Sequence, residues 1–321
     1  MAFADVSRAT TSRRRDEILM PSFQRIPTPL RLRSHKRIFL FIMLAFLIIP
    51  DKGFAYPGEY GLDFLNIGVG AYSAATGQAN YAGIEGAEAV FGNPSLIGYE
   101  LNGFASYQYL IMDTRLQAAA VNLPLHRRYS FALAVDIFNP GNITGFDDTG
   151  QKTGNLKSGD YLIRLGIASQ NRINYGVTFS YYEQRLDNVI GRGYGFGFGL
   201  SYEIGTNRIG LSADNIGPKF KIGGSSSSLP SKIALSGWFP IKGSYINLST
   251  DFIYSLETGV RLAAGIEYSP FEGFFLRAGS NNDTPIAAGL GISPGSFDFD
   301  YSFVPSDLLG DRHLFSITVS R

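Results

Sequence analysis

Large apolar residues alternate with small or polar ones along much of this chain. The longest run is Tyr194-Gly-Phe196-Gly-Phe198-Gly-Leu200-Ser-Tyr202-Glu-Ile204. Phe297-Asp-Phe299-Asp-Tyr301-Ser-Phe303 and Ile246-Asn-Leu248-Ser-Thr250-Asp-Phe252-Ile-Tyr254 repeat it. A strand sends successive side chains to opposite faces, so each run has one apolar wall and one small or polar wall. A soluble sandwich buries the apolar wall in a core. An outer-membrane barrel turns it to lipid and keeps the polar wall inside.

Fourteen strands are predicted, over residues 103–112, 115–125, 129–138, 159–170, 174–186, 192–204, 208–215, 231–240, 244–254, 258–268, 273–280, 285–293, 296–304 and 312–320. Most are about nine to eleven residues long, the length a tilted strand needs to cross a bilayer. The connections sort by parity. Those near 126–128, 171–173, 205–207, 241–243, 271–272 and 294–295 are short, while the alternate set includes the long loops 139–158, 187–191, 216–230 and 305–311. Short turns on one rim and longer loops on the other belong to membrane barrels, with strand one rising from the periplasmic side. A propeller would repeat about every 40 residues, and no such period is present. Tyr107, Tyr109, Tyr181, Tyr202, Tyr254, Tyr268 and Tyr301 fall near strand ends, where interfacial girdles lie. The expected fold is all-β: a fourteen-stranded antiparallel transmembrane β-barrel in the outer membrane of a Gram-negative-type envelope, surrounded by its lipid.

Composition agrees. The 321 residues include 38 Gly, 25 Phe and 18 Tyr, and a mean hydropathy of +0.02 is reached without a run of ~20 apolar residues. Cysteine is absent, which removes disulfides, thiolate metal sites and a cysteine nucleophile. Residues 1–55 hold ten Lys/Arg against four Asp/Glu, a surplus of six; against the chain's +1 this leaves the remainder at −5. An acidic remainder without a basic cluster argues against nucleic acid as a partner.

Arg31, Arg33, Lys36 and Arg37 precede the apolar run Ile38 to Ile49, and Gly53-Phe54-Ala55 follows Pro50. Basic, apolar and small-x-Ala parts in that order make a secretory signal with cleavage expected after Ala55. As an anchor the run is too short to span. Residues 1–30 read as a long basic region or as an early start. The expected organisation is therefore extension and signal over 1–55, a hatch or plug over 56–102, and the barrel over 103–321.

Residues 61–100 are Gly/Ala-rich and poorly alternating, which suits close backbone packing rather than a lipid face. Fourteen strands enclose more space than side chains alone fill, so this segment is expected inside, with Gly193, Gly195, Gly197 and Gly199 leaving it room. Phe64-Leu-Asn-Ile-Gly68-Val-Gly70-Ala, Gly77-Gln-Ala79 and Gly92-Asn93-Pro94-Ser-Leu96 resemble the N-terminal signature of the PorV/PorQ family, relatives of FadL-like barrels. Asp214-Asn-Ile-Gly217-Pro218-Lys and Asp300-Tyr-Ser-Phe-Val-Pro305 through Gly310-Asp311-Arg-His313 are similar to later blocks. The chain departs from that pattern at Thr76-Gly77-Gln78, at Glu85-Gly-Ala-Glu88-Ala and at Gly92. The resemblance implies either assistance to type IX secretion, with secreted cargo or machinery as partners, or FadL-like passage of a hydrophobic small molecule past a hatch marked by Gly68, Gly70, Asn93 and Pro94.

Alternation points Asp136, Arg164, Asp214, Asp251, Arg261, Glu267, Arg277, Asp298 and Asp300 into the lumen. Their mixed signs favour pairing that holds the plug, or else a polar path. Asp298 and Asp300 lie two apart on one face and could take calcium, but they lack further ligands; pairing with Arg261 or Arg277 is the better expectation, and no metal or cofactor is expected. Hydrolysis of the Ser–His–Asp type needs a histidine oriented by an acid. Beyond the signal only His126 and His313 remain, and no nucleophile elbow, phosphate loop or dinucleotide fingerprint occurs. No catalytic residue is expected. Loops 139–158 and 216–230 are the expected surface features.

Overall fold

The computed structural model describes residues 60–111, 113–126, 128–305 and 310–321. The signal, its cleavage after Ala55 and residues 56–59 of the hatch segment lie outside the described residues.

Fourteen strands form one antiparallel ring: β1 Asn102–Tyr109, β2 Arg115–His126, β3 Tyr129–Asn139, β4 Ser158–Ser169, β5 Ile173–Leu186, β6 Val189–Ile204, β7 Asn207–Ile216, β8 Lys232–Ile241, β9 Ile246–Ser255, β10 Gly259–Phe271, β11 Phe274–Asn281, β12 Ala287–Ile292, β13 Phe297–Val304 and β14 Arg312–Ser320. Each pairs with the next. The ring closes where β1 meets β14, from Asn102 opposite Ser320 to Tyr109 opposite His313. Closure satisfies every strand edge, which a lipid environment demands.

The burial pattern settles which way the alternation faces. Phe196 and Phe198 on β6 are 43% and 50% exposed, whereas Thr178, Ser180 and Ser201 are buried. The apolar wall is therefore the outside of a closed barrel, and the small, polar wall is its interior. Among the described residues no helix is long and apolar enough to cross a membrane; the strands do the crossing. Both strand termini and the short turns share one rim, which is the periplasmic one.

The opposite, distal rim differs from expectation in two respects. The connection expected over 187–191 is only the two-residue turn Asp187-Asn188, because Leu186 already pairs with Val189, and loops 139–158 and 216–230 each contain a hairpin. Ile143–Phe146 pairs with Lys152–Leu156 and stands exposed. Phe220–Ile222 pairs with Ser225–Ser227; most of this hairpin is exposed as well, but it is anchored by Phe220 and Leu229, which are buried. The Phe220 ring fills the space over Gly191 and Gly193, where added Cβ atoms would stand 2.6 and 2.9 Å from it. Apolar area and two missing side chains draw that ring inward.

Residues 60–101 run through the lumen. They begin at the distal rim, where the Gly61 amide donates to the Ser228 carbonyl (3.1 Å) and the Tyr60 hydroxyl to the Leu256 carbonyl (2.8 Å). They end near the periplasmic rim, where Asn122 Nδ2 donates to the carbonyls of Gly98 and Glu100 (2.7 and 2.8 Å). Between these points lie a five-residue helix, α1 Ala71–Ala75, and the single turns Asp63–Asn66, Glu88–Phe91 and Pro94–Leu96.

Candidate functional site

So irregular a segment leaves many backbone groups without internal partners, and buried ones need partners from elsewhere. The wall supplies them. Asp251 Oδ2 accepts from the amides of Asn80 and Tyr81 (2.8 and 3.0 Å), and Ser316 Oγ from that of Ala71 (2.8 Å). Asn281, Gln170 and Arg208 donate to the carbonyls of Gly77, Ile97 and Ala82. Arg208 also bridges Glu85 of the hatch and Glu203 of the wall.

Two patches of wall let the hatch backbone lie directly on the strands. Asn93-Pro94-Ser95 rests on Gly176, Gly199 and Gly210; a Cβ at Gly199 would stand 2.8 Å from Pro94 Cδ. Ala75-Thr76-Gly77 rests on Gly265, Gly279 and Gly289; a Cβ at Gly265 would stand 2.7 Å from Thr76 Cβ. Asn93 also shapes its own turn, its Oδ1 accepting from the Ser95 amide (3.1 Å) and hydroxyl (2.8 Å). Gly70 has φ 90°, a conformation that favours glycine, and a Cβ there would run into Glu88 Oε1. Gly68 lies against the Gln78 amide group. The run on β6 needs a correction: only Gly199 makes room for the hatch. Gly193 accommodates Phe220, Gly195 the Tyr182 hydroxyl, and Gly197 Thr178 and Asp214.

The lumen divides chemically. At the distal end Leu62, Phe64 and Leu65 of the hatch pack with Leu110, Leu116, Leu162, Phe220 and Leu229. Below this apolar layer lie two ion networks. Arg164 reaches Asp214 at 3.1 Å, Ser180 Oγ at 2.8 Å and the Val90 carbonyl of the hatch at 3.1 Å. Arg277 bridges Glu267 (2.7 Å) and Asp300 (2.5 Å), with the ring of hatch Tyr72 against its guanidinium at 4.4 Å. Glu88 of the hatch faces this second network. Burial pushes its carboxyl up to about 8, with Asp300 adding to the effect and Arg277 opposing it.

Asp136, Arg164, Asp214, Asp251, Glu267 and Arg277 are all buried inside the ring, and Arg261, Asp298 and Asp300 are half-buried there. The structure brings Asp300 to Arg277. It gives Asp298 no such partner, and among the described residues no three acidic or histidine side chains converge on a possible metal. Asp136 Oδ1 and Arg261 Nε are buried without hydrogen-bond partners and line a cavity of about 60 Å³ between hatch and wall, with Lys232 and Glu88. That space suits a handful of waters and is far below the ~300 Å³ of a small-molecule pocket. His313 Nδ1 meets the Tyr301 hydroxyl at 2.8 Å.

Sequence reasoning missed Glu88, Asn122 and Arg208. Alternation along β2 and β7 was signal enough for Asn122 and Arg208. Glu88 sits where no period exists, and only the fold reveals it.

In overall architecture the chain is similar to the Ralstonia pickettii toluene transporter TbuX (TM-score 0.57, 12% identity, covering 79% of this chain and 98% of that one). It is likewise similar to the Pseudomonas putida toluene transporter TodX (0.55, 12%, 79% and 97%) and to the monoaromatic hydrocarbon channel CymD (0.53, 14%, 79% and 98%). No family model and no curated protein matches it. The likeness is one of fold: a closed antiparallel β-barrel. The PorV/PorQ side of the resemblance finds no counterpart in these comparisons.

Proposed function

We propose that this chain passes small hydrophobic molecules across the outer membrane, with residues 60–101 as a movable stopper and no catalytic step. The apolar layer at the distal end of the lumen carries this reading. A channel for hydrated solutes is polar inside, whereas here Phe64, Leu65, Leu162 and Phe220 offer an apolar solute a first resting place beneath the outer rim. The fold likeness to barrels named for toluene and monoaromatic hydrocarbons supports it. The cavity between hatch and wall holds about 60 Å³, so passage along it requires the hatch to shift. Beside its apolar packing, the hatch is held by side-chain hydrogen bonds and ion pairs, which can exchange for water. A role in secretion would rest on the exposed hairpin bearing Ile143, Phe146 and Leu156; it would leave the apolar layer at the distal end of the lumen without a use.

The test is uptake of labelled toluene by outer-membrane-enclosed cells that lack hydrophobic channels of their own, with and without this protein. Faster uptake with the protein, reduced when a disulfide ties the hatch to the wall, is expected. Equal uptake in both strains sinks the reading.

A further inference from the structure

The outer face of β4–β6 carries a charged cluster that the lumen does not use. Outward residues of β5 run Ile173, Tyr175, Val177, Phe179, Tyr181, and those of β6 opposite them run Tyr202, Leu200, Phe198, Phe196, Tyr194. Two residues further toward the distal rim both strands turn charged, at Glu183 and its cross-strand partner Arg192. Ten residues of tilted strand cover ~25 Å along the membrane normal, the height of the apolar band of such barrels. The charges therefore begin where the outer leaflet's hydrocarbon ends and its headgroups start.

The cluster is built and unbalanced. Glu183 receives Arg185 at 2.6 Å and Arg192 at 3.1 Å, and the Tyr181 hydroxyl donates to it at 3.2 Å. Arg185 is fixed over the Tyr161 ring at 4.9 Å. Lys221 of the anchored hairpin lies directly opposite Arg192, so both point outward. Two cations thus share one carboxylate, and Lys221 adds a third positive charge one strand beyond Arg192. Glu183 is nearly covered (12% exposed), while Arg185 and Arg192 remain 53% and 63% exposed and keep unused N–H groups. Directly beneath, Phe179 packs against Tyr194 and Phe196 at 6.4 and 5.6 Å between ring centres.

We propose that this face binds a phosphorylated lipid of the outer leaflet, its phosphate on Arg185, Arg192 and Lys221 and its acyl chains along the Phe179–Tyr194–Phe196 surface. Guanidinium groups held in place with open edges suit a phosphate's paired oxygens. The site continues the lipid-facing wall, so a lipid satisfies both halves at once where a free anion would use only one.

The full-length barrel, purified in detergent, is offered bis-phosphorylated lipid A, and retained lipid is counted by native mass spectrometry. Stoichiometric retention is expected, falling by about tenfold or more in R185Q/R192Q and with the dephosphorylated lipid. Equal retention by the variant, or equal retention of dephosphorylated lipid, overturns the proposal. Should the double variant fail to show the heat-dependent gel shift of a folded barrel, Glu183→Gln decides. Removing the single anion is expected to tighten binding, and unchanged or weaker binding overturns the proposal.

Discussion

Arg164 on β4 and Asp214 on β7 meet at 3.1 Å although two strands lie between them, both side chains nearly inaccessible. The bridge crosses the inner face of β5 and β6, and small residues make the crossing possible. Ser180 accepts from Arg164 Nε, and a Cβ at Gly197 would stand 2.8 Å from Asp214 Oδ1. The same guanidinium holds the hatch at Val90. Arg164→Met leaves Asp214 buried without its cation, a change that costs about 3–5 kcal/mol. Urea unfolding in detergent micelles, followed by the heat-dependent gel shift, is expected to show a midpoint well below that of the parent protein; an unchanged midpoint would mean the bridge contributes nothing.

Asp251 holds the hatch turn by its two amides at Asn80 and Tyr81. Asparagine has nearly the same shape but loses the charge that strengthens both bonds, each worth about 1.5–3 kcal/mol. For D251N, hydrogen exchange at residues 79–83 should accelerate while the strand amides stay protected. Uniform acceleration across the barrel would instead point to general destabilisation.

The glycine patches predict a sharp contrast. Gly279 lies against the backbone of Thr76 and Gly77, which has no way to yield, so Gly279→Val should lift this part of the hatch from the wall. Gly103→Ala has open space around the new methyl group and should change nothing. Limited proteolysis of residues 60–101 in the folded barrel distinguishes them; equal resistance of both variants would refute the packing argument.

Glu88 predicts a pH dependence. Its carboxyl is pushed up from 4.5 to about 8 in the folded chain, so the folded state keeps a proton that the unfolded state loses. This contribution to stability is complete below about pH 4.5 and is lost as pH rises through about 8. The groups facing Glu88 are Arg277, Asp300 and the Tyr72 hydroxyl, and its deprotonation places a further anion beside that network. Hatch protection measured from pH 5 to 9 should decline in the parent protein and stay flatter in Glu88→Gln. Parallel curves would remove Glu88 as the cause.

The fourteen strands, their order around the ring and the sorting of turns by rim were legible in the chain because a strand's period of two is local. Each residue's face follows from its neighbour's, and the connection lengths then fix the parity. Inward-facing Asp136, Arg164, Asp251 and Arg277 follow from the same rule. The seating of Phe220 did not follow, because Lys219-Phe-Lys221 and the serine run read as solvated, and nothing local shows that the phenylalanine alone turns onto Gly191 and Gly193.

What the sequence by itself determined is the wall: alternation decides strand, face and membrane. Only the tertiary structure decided the path of residues 60–101 and which charges meet, since these depend on hydrogen bonds between groups far apart in the chain, such as Asn80 with Asp251 and Asn281 with Gly77. An irregular segment has no period from which to read its partners; it takes them from whatever wall the closed ring places around it.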